Sequence, residues 1–351
     1  MKTGITFLSL LFLVIFSNAQ PIRKEIALPQ IGDYLTLKCD FHTHTVFSDG
    51  SVWPTVRIDE AWREGLDVIS ITDHLEYTPH KSYVPINHEA PYEITRNYAK
   101  QRGILLVKGT EITKSMPPGH FNALFIEEAS LLMNDDPLMA LREAKKQGAF
   151  VIWNHPGWVA QAPEGPVWMP EHQKLFDEKL FQGIEVANYN NWYPKVLDWA
   201  TEKHLTIFSN SDIHQPIVHF LEEYKLTRRP MTLVFASEYT IAAVREALDQ
   251  NRTIGWFQDK LFGMTSLLEA FFAASVKATM ISEDDKNRMF KITNTSDVDY
   301  TLQFSGSSTE RKLPARSSLH LSVPLATEEI RVTVKNMLTR SDEPLLTTLQ
   351  P

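Results

Sequence analysis

Short apolar runs alternate with amphipathic stretches over residues 36–257. Such alternation is typical of repeated βα units around a largely parallel sheet. Helices are predicted at 54–64, at 136–147 and at 237–250, the last with Ser237 as N-cap, because these stretches place apolar residues on one face. The predicted strands are TLKCDF, DVISIT, ILLVKG, FNALFI, AFVIWN, GIEVAN, LTIFSN and MTLVFA.

The C-terminal part of the chain has a different pattern. After a predicted helix near 266–276, four segments alternate apolar and polar residues with period two and are separated by turn residues. This pattern predicts a small antiparallel β-sandwich of roughly 75 residues. The four segments begin at Met289, Tyr300, Leu319 and Ile330.

The N-terminal segment predicts export. Lys2 precedes an apolar run at 5–16, and Ser17-Asn18-Ala19 has the small-residue pattern of a cleavage site. We therefore expect a signal peptide at 1–19, a mature chain that begins at Gln20, and a periplasmic or secreted location. The alternative is an uncleaved anchor, for which the apolar run is short.

The amino-acid composition and net charge limit the classes of binding partner. The chain of 351 residues carries a formal charge of −8, and without Lys2 it has 34 basic and 43 acidic residues, a charge of −9. The sequence has no basic stripe of the kind that follows DNA or RNA, so a small organic substrate is favoured over nucleic acid. No stable membrane span is expected after signal cleavage, and the sequence makes no prediction about oligomeric state. Cys39, the single cysteine, is expected to be a buried apolar residue on a strand.

Ligand-type side chains follow the ends of the predicted strands. His42 and His44 lie one residue apart at the end of the first strand, so their side chains share a face. In barrel-like α/β folds the carboxyl ends of the strands meet at one rim. Later strand ends and a neighbouring loop carry the same chemistry, and the full candidate set is His42, His44, Asp49, His74, Glu111, His120, His155, Asp212 and His214.

Six imidazoles and three carboxylates exceed the ligands of one ion, since zinc takes about four ligands and related metals about six. We therefore expect two or three divalent ions, with zinc, manganese and iron all compatible with this donor set. A carboxylate such as Glu111 or Asp212 can bridge two ions, and clustered cations suit an in-line displacement at phosphorus. Each histidine taken singly has a structural alternative, but a structural role does not explain why the strand ends share this chemistry.

The ordered motifs HTHTxFSDG, TDH, GTE, GH, NHP and SDxH resemble those of the polymerase-and-histidinol-phosphatase (PHP) superfamily of metal-dependent phosphoesterases over about residues 36–257. Within it, TEITKSMPPGHFNALF followed by a C-terminal β-module is similar to exported bacterial organophosphate phosphodiesterases. The resemblance implies an α/β fold, a distorted (β/α)7 barrel with a small C-terminal antiparallel β-sandwich domain. The expected boundaries are 1–19 for the signal peptide, 20–35 for an N-terminal extension, 36–262 for the PHP-like barrel, 263–276 for a connecting helix and 277–351 for the β-sandwich module.

The resemblance also implies roles for the candidate ligands. Asp49, Glu111, Asp212 and His214 are the candidate catalytic residues, and a hydroxide that bridges two ions would attack phosphorus. The implied ligand sets are His42, His44, Glu111 and Asp212 for a first ion, Glu111, His120 and His155 for a second, and Asp49, His74 and His214 for a third.

The implied activity is hydrolysis of phosphodiesters of small organic substrates. Diesters are favoured over monoesters because the predicted rim loops contain few arginines with which to bind a dianion. The alternatives are a phosphomonoesterase on the same site, a metal-dependent amidohydrolase and a non-catalytic surface-binding protein. Amidohydrolases typically use a bridging lysine, whereas Glu111 takes that place in this sequence.

Three further residues are candidate substrate contacts. Lys114 could reach a phosphate oxygen, or it could be a solvated loop lysine. Trp158 lies on a predicted loop and could wall a pocket for an organic substituent. His80 lies in the polar insertion after TDH and could protonate a leaving group, or it could be a surface histidine.

Four polar residues next to the strand ends could support the ligands. Asp40 and Asp73 either orient a ligating imidazole or bond to backbone at a strand end. Glu185 and Asn188, at another strand end, could support the ligands or contact substrate.

Overall fold

The computed structural model describes residues 22–349. The predicted signal peptide at 1–19 and its cleavage before Gln20 lie outside the described residues. Within 22–349, none of the helices combines the length and the apolar character that crossing a bilayer requires.

Seven strands, five of them buried at every position, form an α/β barrel in the N-terminal part of the described chain. The strands of this region are β1 (Leu35–Asp40), β2 (Val68–Ile71), β3 (Leu105–Ile112), β4 (Phe121–Leu124), β5 (Phe150–Trp153), β6 (Gly183–Asn188), the two-residue β7 (Asn191–Trp192) and β8 (Thr206–Asn210). The pairing order around the barrel is β1-β2-β3-β4-β5-β6-β8, with β4 antiparallel to both neighbours and the other pairs parallel. A parallel bridge between Thr43 and Ile213 closes the barrel between β8 and β1. The predicted fold class is confirmed, and β4 departs from a regular parallel barrel because it runs against both of its neighbours.

Three antiparallel strands extend the sheet outward from β1. They are β9 (Met231–Ala236), β10 (Thr253–Phe257) and β11 (Lys260–Gly263), joined in that order. The eight predicted apolar runs are all strands, although β4 and β9 run against their neighbours. Cys39 is buried on β1, as predicted.

Helices cover the outside of the barrel, and proline starts many of them. Proline occupies one of the first two positions of five helices, where its missing N–H would have no intrahelical partner. The helices are α1 (Pro54–Arg63), α2 (Ala90–Arg102), α3 (Pro137–Lys146), α4 (Pro170–Asp177), α5 (Pro194–Lys203), α6 (Ile217–Glu223), α7 (Ile241–Asp249) and α8 (Thr265–Ser275), with a 3-10 turn at Ala129–Leu132.

The predicted start of α7 was wrong. Thr240, not Ser237, is the N-cap, and its hydroxyl accepts a hydrogen bond from the N–H of Ala243 at 3.1 Å. Ser237 lies in a bend three residues earlier, too far along the chain to reach the N–H groups of the first turn.

The C-terminal module consists of two antiparallel sheets. Its strands are β12 (Val276–Glu283), β13 (Asn287–Asn294), β14 (Tyr300–Phe304), β15 (Glu310–Leu313), β16 (Ser318–Pro324), β17 (Ile330–Leu338) and β18 (Pro344–Leu349). One sheet has the order β12-β13-β16, and the other contains β15-β14-β17-β18. The four predicted strands are present, whereas β12, β15 and β18 were not predicted. β12 was missed because most of its side chains are exposed and its pattern does not alternate.

Barrel and module share both a sheet and a core. β17 pairs in parallel with β11, with Leu261 opposite Met337 and Phe262 opposite Leu338, so the larger module sheet continues the barrel sheet. A single cluster of buried apolar residues extends from α1 and β2 of the barrel through α8 into the module. At its centre the rings of Phe272 and Tyr300 meet edge to face at 5.3 Å.

The shared core predicts that barrel and module unfold together. Phe272→Ala is expected to lower the free energy of unfolding by about 3–5 kcal/mol, because it removes a fully buried aromatic ring from the junction. Differential scanning calorimetry should show one transition that moves to lower temperature as a whole. Leu346→Ala, at an exposed position of the module, is the control and should change stability by less than about 0.5 kcal/mol. Two separate transitions, only one of them shifted by Phe272→Ala, would contradict the shared core.

Candidate metal centre

The nine candidate ligands lie at one rim of the barrel, placed there by strand direction. Most follow or end parallel strands, whose carboxyl ends point to this rim. His120 precedes β4, and because β4 is antiparallel its beginning lies at the same rim. Asp49 comes from the loop after β1.

The loop that carries Asp49 folds tightly back on the end of β1. The N–H groups of Ser48 and Gly50 both donate to the carbonyl oxygen of Thr45, at 3.1 and 2.9 Å. A Cβ atom at position 50 would lie 2.6 Å from the carbonyl carbon of His44, so only glycine permits this approach. The Asp49-Gly50 pair therefore brings the carboxylate next to the imidazole of His44.

The nine side chains form four overlapping groups that could each hold a cation. Within each group the ligand atoms lie within 4.8 Å of one another. The groups divide the ligands differently from the implied sets: His44 joins the implied third set, Glu111 is absent from the group of Asp212, and His120 and His155 fall into separate groups around Glu111. The groups are His44, Asp49, His74 and His214; His42, Glu111 and His155; His42, His44 and Asp212; and His74, Glu111 and His120.

Glu111 lies at the centre of the cluster, fully buried at the end of β3. Each of its carboxylate oxygens faces more than one imidazole, which is the arrangement expected of a ligand shared between ions. Oε1 lies 3.2 Å from Nδ1 of His120 and 3.5 Å from Nε2 of both His42 and His155, and Oε2 lies 2.6 Å from Nδ1 of His74 and 3.6 Å from Nε2 of His44.

Asp212 and Asp49 occupy the outer side of the cluster. Oδ1 of Asp212 lies 2.9 Å from Nε2 of His44 and 3.1 Å from Nε2 of His42. Oδ1 of Asp49 lies 3.2 Å from Nε2 of His214 and 3.5 Å from Nε2 of His74. These two carboxylates keep some solvent exposure, so they form the open side of the site.

A carboxylate outside the cluster, that of Glu185, orients the imidazole of His42. Nδ1 of His42 lies 2.9 Å from Oε1 of Glu185, which turns Nε2 of this ring toward Asp212. Glu185 also accepts hydrogen bonds from the backbone N–H of His155 and from the amide group of Asn210, at 2.8 and 2.9 Å. Of the two roles considered for Glu185, its contacts therefore fit ligand support. Asn210 was missed, although it follows the pattern of polar residues at strand ends.

Asp73 and Asp40 bond mainly to the loop segments that carry the ligands. Asp73 accepts from the N–H and hydroxyl of Thr45 at 2.6 and 2.5 Å and from the hydroxyl of Ser48 at 2.7 Å. Asp40 accepts from the N–H and hydroxyl of Ser211 at 3.1 and 2.5 Å. Both carboxylates thus follow the alternative of strand-end hydrogen bonds, and they fix the backbone beside the ligands rather than the imidazoles.

Three buried ligand atoms have no hydrogen-bond partner of acceptable geometry within the described chain. They are Nε2 of His42, Nε2 of His44 and Oε2 of Glu111. Each of them lies 2.6–3.1 Å from a ligand atom of the cluster without a well-aligned hydrogen bond, and an unsatisfied buried polar atom costs about 1–3 kcal/mol. Imidazole nitrogens and a carboxylate oxygen aimed at a common centre are the donors that a divalent ion requires, so the residues fit a metal site.

The carboxylates and imidazoles of the cluster shift one another's pKa values. Burial alone would raise the pKa of Glu111, but the imidazoles of His74 and His42 outweigh it and hold the pKa well below its ordinary value. Burial would lower the pKa of His74, whereas the carboxylates of Glu111 and Asp49 raise it to about 10. Burial together with the imidazoles of His214 and His74 lowers the pKa of His44 to about 3, so this ring is neutral at pH 7. The carboxylates thus stabilise cations, whether protons or metal ions.

A cavity of about 240 Å³ opens above the cluster. Trp158 lies on its wall, with its ring centroid 5.4 Å from that of His155. Tyr189, directly after β6, and Asn191, the first residue of β7, also line it and were missed. The lining residues are Asp49, His74, His120, His155, Trp158, Asn188, Tyr189, Asn191, Asp212 and His214.

Two candidate substrate contacts lie outside this lining. The ammonium group of Lys114 is 2.6 Å from Oε1 of Glu76 and 2.5 Å from the carbonyl oxygen of Asn134. His80 lies in the half-exposed turn after β2. Neither side chain is therefore placed to touch a ligand in the cavity as it stands.

Residues 275–350 match a family described as DUF5001, an Ig-like domain. This match covers the C-terminal β-module and does not include the barrel.

One solved structure, from Bacteroides vulgatus, is similar to nearly the whole chain, with a TM-score of 0.90 and 42% sequence identity over 95% of this chain and 99% of that chain. It is described as a two-domain protein containing a predicted PHP-like metal-dependent phosphoesterase. The uncharacterized protein MJ1295 of Methanocaldococcus jannaschii is 33% identical over 193 residues, which cover 51% of this chain and 83% of the relative. With the barrel, the ligand cluster and the Ig-like module in place, the chain belongs to the family of two-domain proteins that contain a PHP-like metal-dependent phosphoesterase.

Proposed function

We propose that the protein is an exported phosphodiesterase that hydrolyses small organic phosphodiesters and holds two or three divalent ions of zinc, manganese or iron. The cluster of six imidazoles and three carboxylates supports the metal dependence, because its unpartnered buried atoms converge on common centres. Bound ions would lower the pKa of water toward 7 and neutralise charge that develops on phosphate oxygens.

The residues of the chain have separable tasks in this proposal. Glu111, with imidazoles on both of its oxygens, is the natural shared ligand at the buried floor. Asp49, Asp212 and His214 line the cavity, so they lie next to the phosphorus atom of a bound substrate. Glu185 holds His42 in one orientation, which preorganises the floor before a substrate arrives.

The preference for diesters rests on one observation, the lack of lysine and arginine side chains in the cavity wall. No lysine or arginine lines this cavity in the described part of the chain. A phosphomonoester carries up to two negative charges, and its recognition depends on cationic or forked donors that this wall does not supply. A diester carries one negative charge and a second organic group, for which Trp158 and Tyr189 provide an aromatic wall.

The position of Glu111 also bears on the amidohydrolase alternative. That chemistry is typically built around a bridging lysine, whereas a carboxylate lies at the centre of this cluster. The observed donor set therefore favours phosphate ester hydrolysis.

Export is supported by residues 1–19 alone, and it predicts a defined mature terminus. Intact-mass measurement of protein from the periplasm or medium should give a chain that begins at Gln20. Leu10→Arg breaks the apolar run and should leave the full-length protein in the cytoplasm. A full-length chain that sediments with membranes would instead identify an uncleaved anchor.

The proposed activity predicts a substrate preference. With zinc or manganese present, kcat/KM for a bis-aryl phosphodiester should exceed that for the matching aryl phosphomonoester by about tenfold, because the wall has no lysine or arginine to bind the second charge of a monoester. Asp212→Asn keeps the shape and suits the positive φ of this position, yet it should lower kcat by about a hundredfold. His320→Ala, on the exposed surface of the module, is the control. A monoester preference, or full activity in Asp212→Asn, would overturn the proposal.

The raised pKa of His74 predicts proton release on metal binding. At pH 7 a group with a pKa of about 10 is protonated in the metal-free protein, and the metal must displace that proton to reach the nitrogen. Apparent metal affinity should therefore rise with pH between 6 and 8. Isothermal titration in buffers of different ionisation enthalpy should give about one to two protons released per binding event at pH 7.

A histidine variant provides the control for this measurement. His74→Gln should release about one proton fewer than the native chain, whereas His320→Ala should leave proton release unchanged. Affinity that falls as pH rises would show that the electrostatic description of the cluster is wrong.

A further inference from the structure

A single buried arginine joins the two chain segments that carry five of the nine candidate ligands. Arg57 lies in the first half of α1 and has no exposed surface. Its planar guanidinium has five N–H donors in a fixed fork, and each finds an acceptor. Nε donates to the carbonyl oxygen of His44 at 2.8 Å, Nη1 to that of Gln215 at 2.9 Å and to Oε2 of Glu60 at 2.6 Å, and Nη2 to the carbonyl oxygens of Ile213 at 3.0 Å and His214 at 2.8 Å.

These contacts cross the β8–β1 seam, the junction at which the barrel closes between strands β8 and β1. Within the described residues β1 forms ladders with β2 and β9, and β8 forms one with β6, so the β8–β1 seam has no ladder of its own. Backbone bonds join it near the rim, where the N–H groups of Asp212, His44 and Ser51 donate to the carbonyl oxygens of His42, Ile213 and His214, at 2.8, 3.0 and 2.8 Å. The guanidinium adds contacts to both sides of this seam, at the point where the ligands leave it.

The segment on the β8 side is held in a strained conformation. Asp212 has a φ of 49°, in the left-handed region that non-glycine residues adopt at a penalty of roughly 1–3 kcal/mol. Arg57 bonds to the three carbonyl oxygens that follow Asp212 in the chain. These bonds offset the strain and keep the carboxylate of Asp212 directed at His42 and His44.

A second residue of α1 completes the contact. Glu60 balances the charge of Arg57 with one oxygen, and its other oxygen, Oε1, accepts from the N–H of Ile217 at 2.8 Å, at the start of α6. The pair therefore fixes residues 213–217 at both ends. A lysine at position 57 would keep the charge, but it lacks the fork needed to bond to four carbonyl groups at once.

We propose that Arg57 is a positioning residue: it holds the segments 42–49 and 212–214 in register across the β8–β1 seam and thereby sets the metal affinity of the site. The metal part of this inference rests on the proposed function. The backbone part does not, since it concerns hydrogen bonds of the chain alone.

The test compares Arg57→Lys with Ile58→Ala in two measurements. Ile58 is the next residue of α1, fully buried in the core, so its truncation destabilises the same helix without touching the seam. Hydrogen–deuterium exchange of the metal-free Arg57→Lys variant should be faster at 41–53 and 210–217 than in the native chain. In Ile58→Ala the exchange rates of these two segments, relative to those of the rest of the barrel, should be the same as in the native chain. Titration with zinc and with manganese should give an affinity lowered about tenfold to a hundredfold in Arg57→Lys and unchanged in Ile58→Ala.

Glu60→Gln serves as a second variant in case Arg57→Lys does not fold. It retains Arg57 and weakens its anchor, so both effects should appear in the same direction and be smaller. Native exchange and native metal affinity in whichever of these variants folds would overturn the inference, as would an equal loss of affinity in Ile58→Ala. A native chain that binds no metal would overturn the proposed function, and the exchange measurement would then decide the role of Arg57 by itself.

Discussion

The carboxylate of Glu111, buried among five imidazoles, is the constraint on which the rest of the site depends. A carboxylate with no solvent exposure is stable in its charged form only if positive charge lies close to it. The surrounding rings can carry that charge as protons, since the nearby carboxylates raise the pKa of His74 to about 10 and the pKa of His42 well above its ordinary value. In their neutral form the rings can instead coordinate a shared cation, which also gives Nε2 of His42 and Nε2 of His44 a bonding partner. The family membership of the chain and this electrostatic requirement point to the same chemistry.

The barrel meets this requirement by fixing backbone rather than side chains alone. Gly50 allows the loop of Asp49 to approach β1, and Asp212 and His155 adopt positive φ values that direct their side chains inward. Such conformations persist only where the surrounding hydrogen bonds over-determine them. Asp40, Asp73 and Glu185 supply those bonds at the ends of different strands. Much of the polar chemistry at this rim therefore maintains geometry.

This use of charge also determines what the cavity offers a substrate. Two basic side chains near the rim are already paired: Lys114 with Glu76, and Arg229 with Asp40 at 3.0 Å inside the barrel. They stabilise the scaffold, and none of them lines the cavity. Trp158 and Tyr189 line the cavity above the cluster, and their aromatic rings offer apolar surface against which an organic group can pack. The Ig-like module contributes indirectly, because it shares a sheet and a core with the barrel.

The sequence by itself determined the strands of the barrel and the chemistry at their ends. Apolar runs such as Phe150–Trp153 are buried on both faces, so their pattern alone identifies them, and His42 and His44 share a face because side chains on a strand alternate. The tertiary structure decided which residues form hydrogen bonds with one another: Glu185 contacts His42, 143 positions away in the chain, and Arg57 contacts His214, 157 positions away. It also decided that Lys114 is paired, and that β17 continues the barrel sheet. Periodicity is a property of neighbours along the chain, whereas hydrogen bonding and charge pairing depend on distances in space that only the closed barrel sets.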